Sequence, residues 1–345
     1  MSGEVFSDDE ERILLAHGEG GRLMRRLIRQ RIVAALDHGG VLGQLEDAAR
    51  LPHFSGRLAV TTDSFVVTPL FFPGGDIGKL AVHGTVNDLA VSGARARYLT
   101  LGFILEEGLA LSVLDRVLAS IAEAARDTET QIVAGDTKVV PRGAADGLFV
   151  TMTGIGELIE PMLSGPAALQ PGDQLLVSGP IGRHGVAVLC AREQLEFQPA
   201  PASDSAPLAT VCHQLQRSLG ANLRAMRDAT RGGLAAVCHE WAEACGKSLV
   251  LFEDAIPVSS DVRGVCELLG LDPVHIANEG TMLLGVAADA VDEALAVMHA
   301  FPQTAQACHI GQVSERDRLP VMVRTRMGRT RPLDDPLGSP LPRIC

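Results

Sequence analysis

The chain has 345 residues, 46% of them hydrophobic, enough for two domains of ordinary size with a core each. A formal charge of −12, with one Trp, one Tyr and ten Phe, argues against a nucleic-acid partner and leaves few platforms for stacking bases. The first residues, Met1-Ser-Gly-Glu-Val-Phe-Ser-Asp-Asp-Glu-Glu, are acidic where a secretory leader is basic, and no apolar run approaches the roughly 20 residues of a membrane span, so the expected setting is soluble and cytoplasmic.

Residues 58–67 read as a buried strand interrupted by polar residues at its middle. Gly74 and Gly75 then punctuate the chain, and Asp76 is placed to cap a helix from Ile77 to near Gly93. A strand at 97–105, an amphipathic helix at 111–126 and strands at 131–134 and 147–156 follow. Strands and helices without strict alternation predict an α+β domain rather than a doubly wound sheet. Pro and Gly cluster between Pro161 and Gly172 and mark a boundary, giving an N-terminal domain over 1–160 and a second α/β domain over 161–331. In the second domain the pattern predicts strands at 174–178, 248–252, 280–287, 306–313 and 320–325. Helices are predicted near 184–192, 207–219, 231–245 and 290–300, with residues 200–207 as a surface loop.

The last segment, 332–345, carries Pro332, Pro336, Pro340 and Pro342 and finishes in Cys345. Proline fixes φ and withholds a donor, so this tail reads as a flexible, extended arm with a reach of about 40 Å. Such an arm suits a thiol that carries a group between sites; a frayed end that happens to finish in Cys is the plain alternative. The other six cysteines stand in aliphatic or helical sequence and read as small buried hydrophobes, and no Cys/His spacing fits zinc.

Only Lys79, Lys138 and Lys247 are lysines, against an arginine-rich background. Acidic groups recur as Glu46-Asp47, Thr61-Thr62-Asp63, Asn87-Asp88, Gly135-Asp136-Thr137-Lys138 and Asp228 before Ala-Thr-Arg-Gly-Gly233. Each Asp alone fits a helix cap or an Asx-turn. Together, at strand ends and turns, they suit Mg²⁺, which takes oxygen ligands and shares them with substrate phosphates. Asn87 and Asp88 sit late in an apolar helix, where polar groups cost burial unless something binds them. Asp136 and Lys138 place a carboxylate and an ammonium just after a strand, a pairing that can hold a metal–phosphate unit. His17-Gly-Glu-Gly-Gly21 and Ser178-Gly-Pro-Ile-Gly-Arg-His-Gly185 are glycine-rich without matching the Walker or dinucleotide patterns. Glu279, between Asn278 and Gly280, offers a carboxylate at a strand edge, either a general base or a solvated loop residue.

With these residues assembled, the chain resembles the HypE family of hydrogenase maturation factors, within the PurM and selenophosphate synthetase superfamily. The resemblance rests on Thr61-Thr-Asp-Ser64, Phe72-Pro-Gly-Gly-Asp-Ile-Gly-Lys79, Gly84-Thr-Val-Asn-Asp-Leu-Ala-Val-Ser-Gly93, Val133-Ala-Gly-Asp-Thr-Lys-Val-Val140, Asp228-Ala-Thr-Arg-Gly-Gly233, Ala277-Asn-Glu-Gly280 and the terminal Pro342-Arg-Ile-Cys345. It implies a two-domain PurM-like fold whose N-terminal sheets pair into a β-barrel across a homodimer, with ATP near that interface. It also implies an ATP-dependent carbamoyl dehydratase acting on its own tail. The partner HypF would place a carbamoyl group on Cys345, this chain would convert it to a thiocyanate, and a HypC–HypD complex would hold the iron that takes the cyanide.

On that resemblance Asp47, Asp63, Asp88 and Asp136 are assigned to Mg²⁺ and phosphate, with Asp228 a further metal candidate. Thr61, Thr62, Asn87 and Gly135 join the nucleotide-binding set, and Lys79 is a phosphate candidate. Lys138 would stabilise the transferred phosphoryl group, Glu279 would be the general base with His275 behind it, and Cys345 the carrier. Two positions depart from the family pattern: Arg183 stands where Asp is usual and His83 where Cys is common. The rival reading is another PurM-type enzyme, selenophosphate synthetase-like or aminoimidazole ribotide synthetase-like, acting on a free substrate.

Overall fold

A computed structural model describes residues 12–40, 42, 48–336, 338, 341, 344 and 345. Strands Leu58–Phe65 (β1), Ala94–Glu106 (β2), Gln131–Val140 (β3) and Leu148–Leu158 (β4) form a sheet in the order β1-β4-β2-β3. Strands β2 and β3 are parallel, and the other pairs antiparallel. In β2, Leu99, Leu101, Phe103 and Leu105 alternate inward, as a strand with one buried face must. Helices Ile77–Val91 (α1) and Leu111–Asp127 (α2) belong to the core on that face. The opposite face is open to solvent, with Val60 65% and Ile104 40% exposed.

The cap of α1 is the one its sequence predicts. The Asp76 carboxylate accepts the N–H groups of Gly78 and Lys79 at 2.8 and 3.1 Å and the Ser120 hydroxyl of α2 at 2.7 Å. Gly78 lets the two helices close up, since a Cβ there would stand 2.7 Å from the Val117 carbonyl oxygen. Nearly every side of α1 is buried, from Ile77 through Val91, the signature of a helix covered all round. The first sheet covers one side and the second half of the chain the other.

That second half is built on a seven-stranded sheet. Its strands are Gln174–Val177 (β5), Leu223–Asp228 (β6), Ser248–Phe252 (β7), Met282–Val286 (β8), Cys308–Ser314 (β9), Val321–Arg324 (β10) and Thr330–Pro332 (β11). They lie in the order β11-β10-β7-β9-β5-β8-β6. Helices Arg183–Arg192 (α3), Ala209–Leu219 (α4), Gly233–Cys245 (α5), Ser260–Leu269 (α6) and Val291–His299 (α7) complete it. Contacts of α1 with α4 and β6 join the two halves.

Several sequence expectations are corrected. Strand β3 runs on to Val140, so Gly135 to Lys138 lie inside a strand rather than after one. Strand β6 and helix α6 fall where the sequence reading had no element. The predicted surface loop at 200–207 is largely buried, with Ser203 and Asp204 6% and 9% exposed. The tail does not hang free at its described positions: Leu341 and Ile344 are buried in the core shared by both halves, and Cys345 packs against it.

Candidate functional site

Strand alternation decides which residues of the Thr61-Thr62-Asp63 run reach the site. Thr61 and Asp63 are half-buried while Thr62 and Ser64 are exposed on the opposite face. From the inner face the Thr61 hydroxyl donates to the Asp88 carboxylate at 2.8 Å, tying β1 to α1. Asp228 ends β6 and Glu279 precedes β8, and both are almost wholly buried.

These four acids feel one another. Burial raises the Asp88 carboxyl, the Thr61 hydrogen bond opposes that, and the Asp63 charge adds to it. Asp228 is pushed up to about 7, by burial first and then by Asp88. Glu279 rises well above the usual carboxylate range, through burial and then through Asp228, Asp204, Asp63 and Asp88. Arg227 and Arg231 pull the other way at Asp88, and Arg227 stands 3.8 Å from the Asp228 carboxylate. The site is a group of electrostatically coupled carboxylates at the junction of the two halves, with Arg227 and Arg231 as the opposing charges.

The position of Glu279 is fixed from both sides. Asn278 donates to the carbonyls of Ala229 at 2.8 Å and Ile276 at 3.2 Å, and accepts the Gly182 N–H at 2.6 Å. Asp204, from the loop expected at the surface, accepts the N–H groups of Glu279 and Gly280 at 3.1 and 3.0 Å and the Thr281 hydroxyl at 2.8 Å. Gly280 is required by this approach, because a Cβ there would fall 1.8 Å from the Asp204 carbonyl oxygen. Sequence reasoning missed Asp204; two prolines bracketing its short loop were the available signal of a rigid segment.

The tail packs into the core near these acids. The Val66 N–H donates to the Cys345 backbone oxygen at 3.1 Å, and His184 contacts the Ile344 carbonyl at 2.8 Å. The Cys345 thiol is pushed up to about 12 by burial and then by the Glu279 charge, with Arg231 opposing. The candidate carrier therefore lies within the electrostatic reach of the candidate base.

Other predicted residues fall elsewhere. Asp136 and Lys138, two apart on β3, share a face and are ion-paired at 2.8 Å, both exposed. Ladder pairing places Asp136 in the row of Gly102, Thr151 and Ser64, on the outer face and three strands from β1, or roughly 14 Å away at about 4.8 Å per strand. Thr62 is on that outer face too, accepting from Thr153 at 3.0 Å. Asn87 bonds the protein's own backbone. Its amide donates to the Ala206 carbonyl at 3.0 Å and accepts the Leu208 N–H at 2.7 Å, which resolves its burial by fixing the loop ahead of α4. Lys79 lies in the first turn of α1, nine residues and roughly 13 Å from Asp88. His275 ends a short helical turn, its Nδ1 buried without a partner, and it is not among the charges acting on Cys345. Asp47 lies outside the described residues.

A second feature adjoins β3. An apolar cleft of about 220 Å³ is walled by Met24, Ile28, Ile32 and Phe103 and floored by Gly135, Asp136 and Thr137. Its lining is mostly apolar, with Asp136 and Thr137 among the polar members. Among the described residues no three His, Cys, Asp or Glu side chains converge as a ready metal site. The donor chemistry of Asp63, Asp88 and Asp228 nonetheless fits a hard dication, which would relieve their repulsion and accept phosphate oxygens as remaining ligands.

Family models for the AIR synthase related protein match the chain twice, the N-terminal domain over residues 45–158 and the C-terminal domain over residues 170–324. The carbamoyl dehydratase HypE of Cupriavidus necator is 46% identical, over 97% of this chain and 95% of that relative. A crystal structure of HypE in complex with ATP superposes with a TM-score of 0.91 at 44% identity, covering 96% of this chain and 99% of the other. The HypE of a HypE–HypF complex superposes at 0.79 with 42% identity, covering 90% and 99%. Among the described residues no helix is long and apolar enough to cross a membrane.

Proposed function

The chain belongs to the HypE family of carbamoyl dehydratases, and we propose that it uses ATP to dehydrate an S-carbamoyl group on its own Cys345 to a thiocyanate, the cyanide donor for a [NiFe]-hydrogenase iron centre. The observation that carries this reading is the tail packed into the core, its Cys345 oxygen held by the Val66 N–H and its thiol within the electrostatic reach of Glu279.

An amide oxygen is a poor leaving group, so the carbamoyl oxygen first attacks the γ-phosphorus of ATP and releases ADP. One N–H proton leaves as the C=N bond forms. Loss of phosphate then takes the second N–H proton and leaves the nitrile on sulfur. Glu279 is the proton acceptor, since burial and its acidic neighbours make its carboxylate an unusually strong base. Asp63, Asp88 and Asp228 would hold magnesium, which when bound neutralises charge on the transferring phosphoryl group. Burial of the thiol and of Glu279 keeps water from the phosphorylated intermediate.

Adenine is assigned to the apolar cleft beside β3, with Asp136 and Lys138 toward the phosphates. Within one chain these two face away from Asp63 and Asp88. We therefore assign them to the carboxylate cluster of a second protomer, in a homodimer that covers the open face bearing Val60 and Ile104. Residues 1–160 would then bind nucleotide and pair, 161–331 would supply Asp228 and Glu279, and 332–345 would carry the reacting thiol. HypF would charge that thiol in the cytoplasm, and a HypC–HypD complex would receive the cyanide.

Intact mass after incubation with HypF, carbamoyl phosphate and Mg-ATP tests the reading. Carbamoylation should add about 43 Da and dehydration then remove about 18 Da, neither appearing in Cys345→Ala, as a covalent carrier requires. An unchanged mass with a competent HypF would overturn it in favour of a free substrate.

A further inference from the structure

His184 is fully buried at the second position of α3, and both ring nitrogens are engaged. Nε2 lies 2.8 Å from the Ile344 carbonyl oxygen and Nδ1 2.8 Å from the Ser203 hydroxyl. Phe72 packs edge-on against the ring, with centroids 5.4 Å apart. A carbonyl only accepts, so Nε2 carries the hydrogen. Burial holds the imidazole neutral, so Nδ1 is bare and the Ser203 hydroxyl donates to it. Ser203 in turn accepts the Ser205 N–H at 3.1 Å. A directed chain thus runs from Ser205 N–H through Ser203 O–H and the His184 ring to the penultimate carbonyl of the tail.

We propose that His184 is a positioning residue that docks the tail, reading the Ile344 backbone carbonyl and so setting Cys345 against Glu279. The Ser203–Ser205 chain sets its tautomer: with Nδ1 occupied by a donated hydrogen, only Nε2–H faces the tail. The same short loop supplies Asp204, which holds the backbone of Glu279 and Gly280. One segment therefore sets both the base and the dock for the thiol it serves. Recognition through a backbone oxygen is indifferent to the group on the Cys345 sulfur, so free, carbamoylated and cyanated tails dock alike.

The catalytic consequence rests on the proposed dehydratase reaction, but docking itself can be measured without ATP or a carbamoyl group, so failure of one is distinguishable from failure of the other. Full-length wild type, His184→Phe, His184→Gln and Ser203→Ala are treated with iodoacetamide, and labelling of Cys345 is followed by peptide mass. His184→Phe keeps the ring and removes the donor; it should label about tenfold faster or more, the population shift expected from losing one buried hydrogen bond. His184→Gln restores an N–H and should label near the wild-type rate. Ser203→Ala frees the ring to turn a bare nitrogen toward Ile344 and should also label faster, which keeps the test open if the Phe variant does not fold. Wild-type labelling in His184→Phe overturns the proposal, as does wild-type labelling in Ser203→Ala where the Phe variant cannot be made. Equally fast labelling in the Gln and Phe variants overturns it too, since it would reduce His184 to packing.

Discussion

The Asp204 carboxylate accepts the backbone N–H of Glu279 at 3.1 Å while its second oxygen takes those of Gly280 and the Thr281 hydroxyl. Three donors in a buried turn converge on one side chain. Asp204→Ala strands two buried N–H groups, which should cost about 2–5 kcal/mol. It should also loosen the turn enough to slow dehydration of a pre-carbamoylated tail by about tenfold or more. Urea unfolding and single-turnover mass spectrometry check the two effects; normal turnover would show that the turn does not depend on Asp204.

Glu279→Gln keeps the shape of the side chain and removes its basicity. Dehydration should fall by about 10²–10⁴, with carbamoylation by HypF intact. The protein should accumulate with the carbamoyl mass and no loss of water. Full dehydration in this variant would transfer the base role elsewhere.

If Asp136 and Lys138 serve the neighbouring protomer, two dead variants should rescue each other. Lys138→Ala and Asp88→Ala are each expected to be inactive. Co-expressed, half of the dimers are mixed, and each mixed dimer holds one intact site of two, so about a quarter of wild-type turnover should return. No recovery from verified mixed dimers would place both residues in one chain's site.

Burial, helped by the Lys79 charge, holds His83 at a pKa of about 4 against 6.5 for the free side chain. The folded state favours the neutral ring, so this stability is complete above about pH 6.5 and is lost as pH falls toward 4. Between pH 7 and 4.5 wild type should lose about 2–3 kcal/mol more than His83→Cys. Parallel urea titrations at the two pH values give the difference directly. Equal losses would mean that protonated His83 is tolerated inside α1.

Gly280→Ala has no room, since its Cβ would enter the Asp204 carbonyl. It should express poorly or unfold several kcal/mol earlier, the usual result of forced overpacking against backbone. A stable Ala variant would show that this turn can shift.

Asp88 stood out in the sequence as an acid late in an apolar helix, where a polar group costs burial, whereas Asp63, Asp228 and Glu279 sit among polar residues and were singled out by their clusters and by the family resemblance. The cap at Asp76 and the long helices were legible for the same local cause, a periodic pattern with a defined start. Legibility failed where sidedness mattered. Thr62 and Asp136 stand in the right motifs, yet a period of two turns them to the outer face, and no motif spells that out. It failed again where burial is imposed from far along the chain. Asp204 and His184 look like loop and helix-start residues until Glu279 and Ile344 are brought to them. Leu341 and Ile344, spaced among prolines, have no periodicity to mark them as core.

Helix α1 has no single owner. One side completes the packing of the first sheet and the other lies on α4 and β6, while Asn87 holds the 206–208 loop through its amide. Splicing the first half of one family member onto the second half of another would set this helix against a surface it did not evolve with. Exchange of halves between relatives should therefore succeed only when α1 travels with the residues of α4 that meet it, and inheritance of the two halves is tied together by fifteen residues.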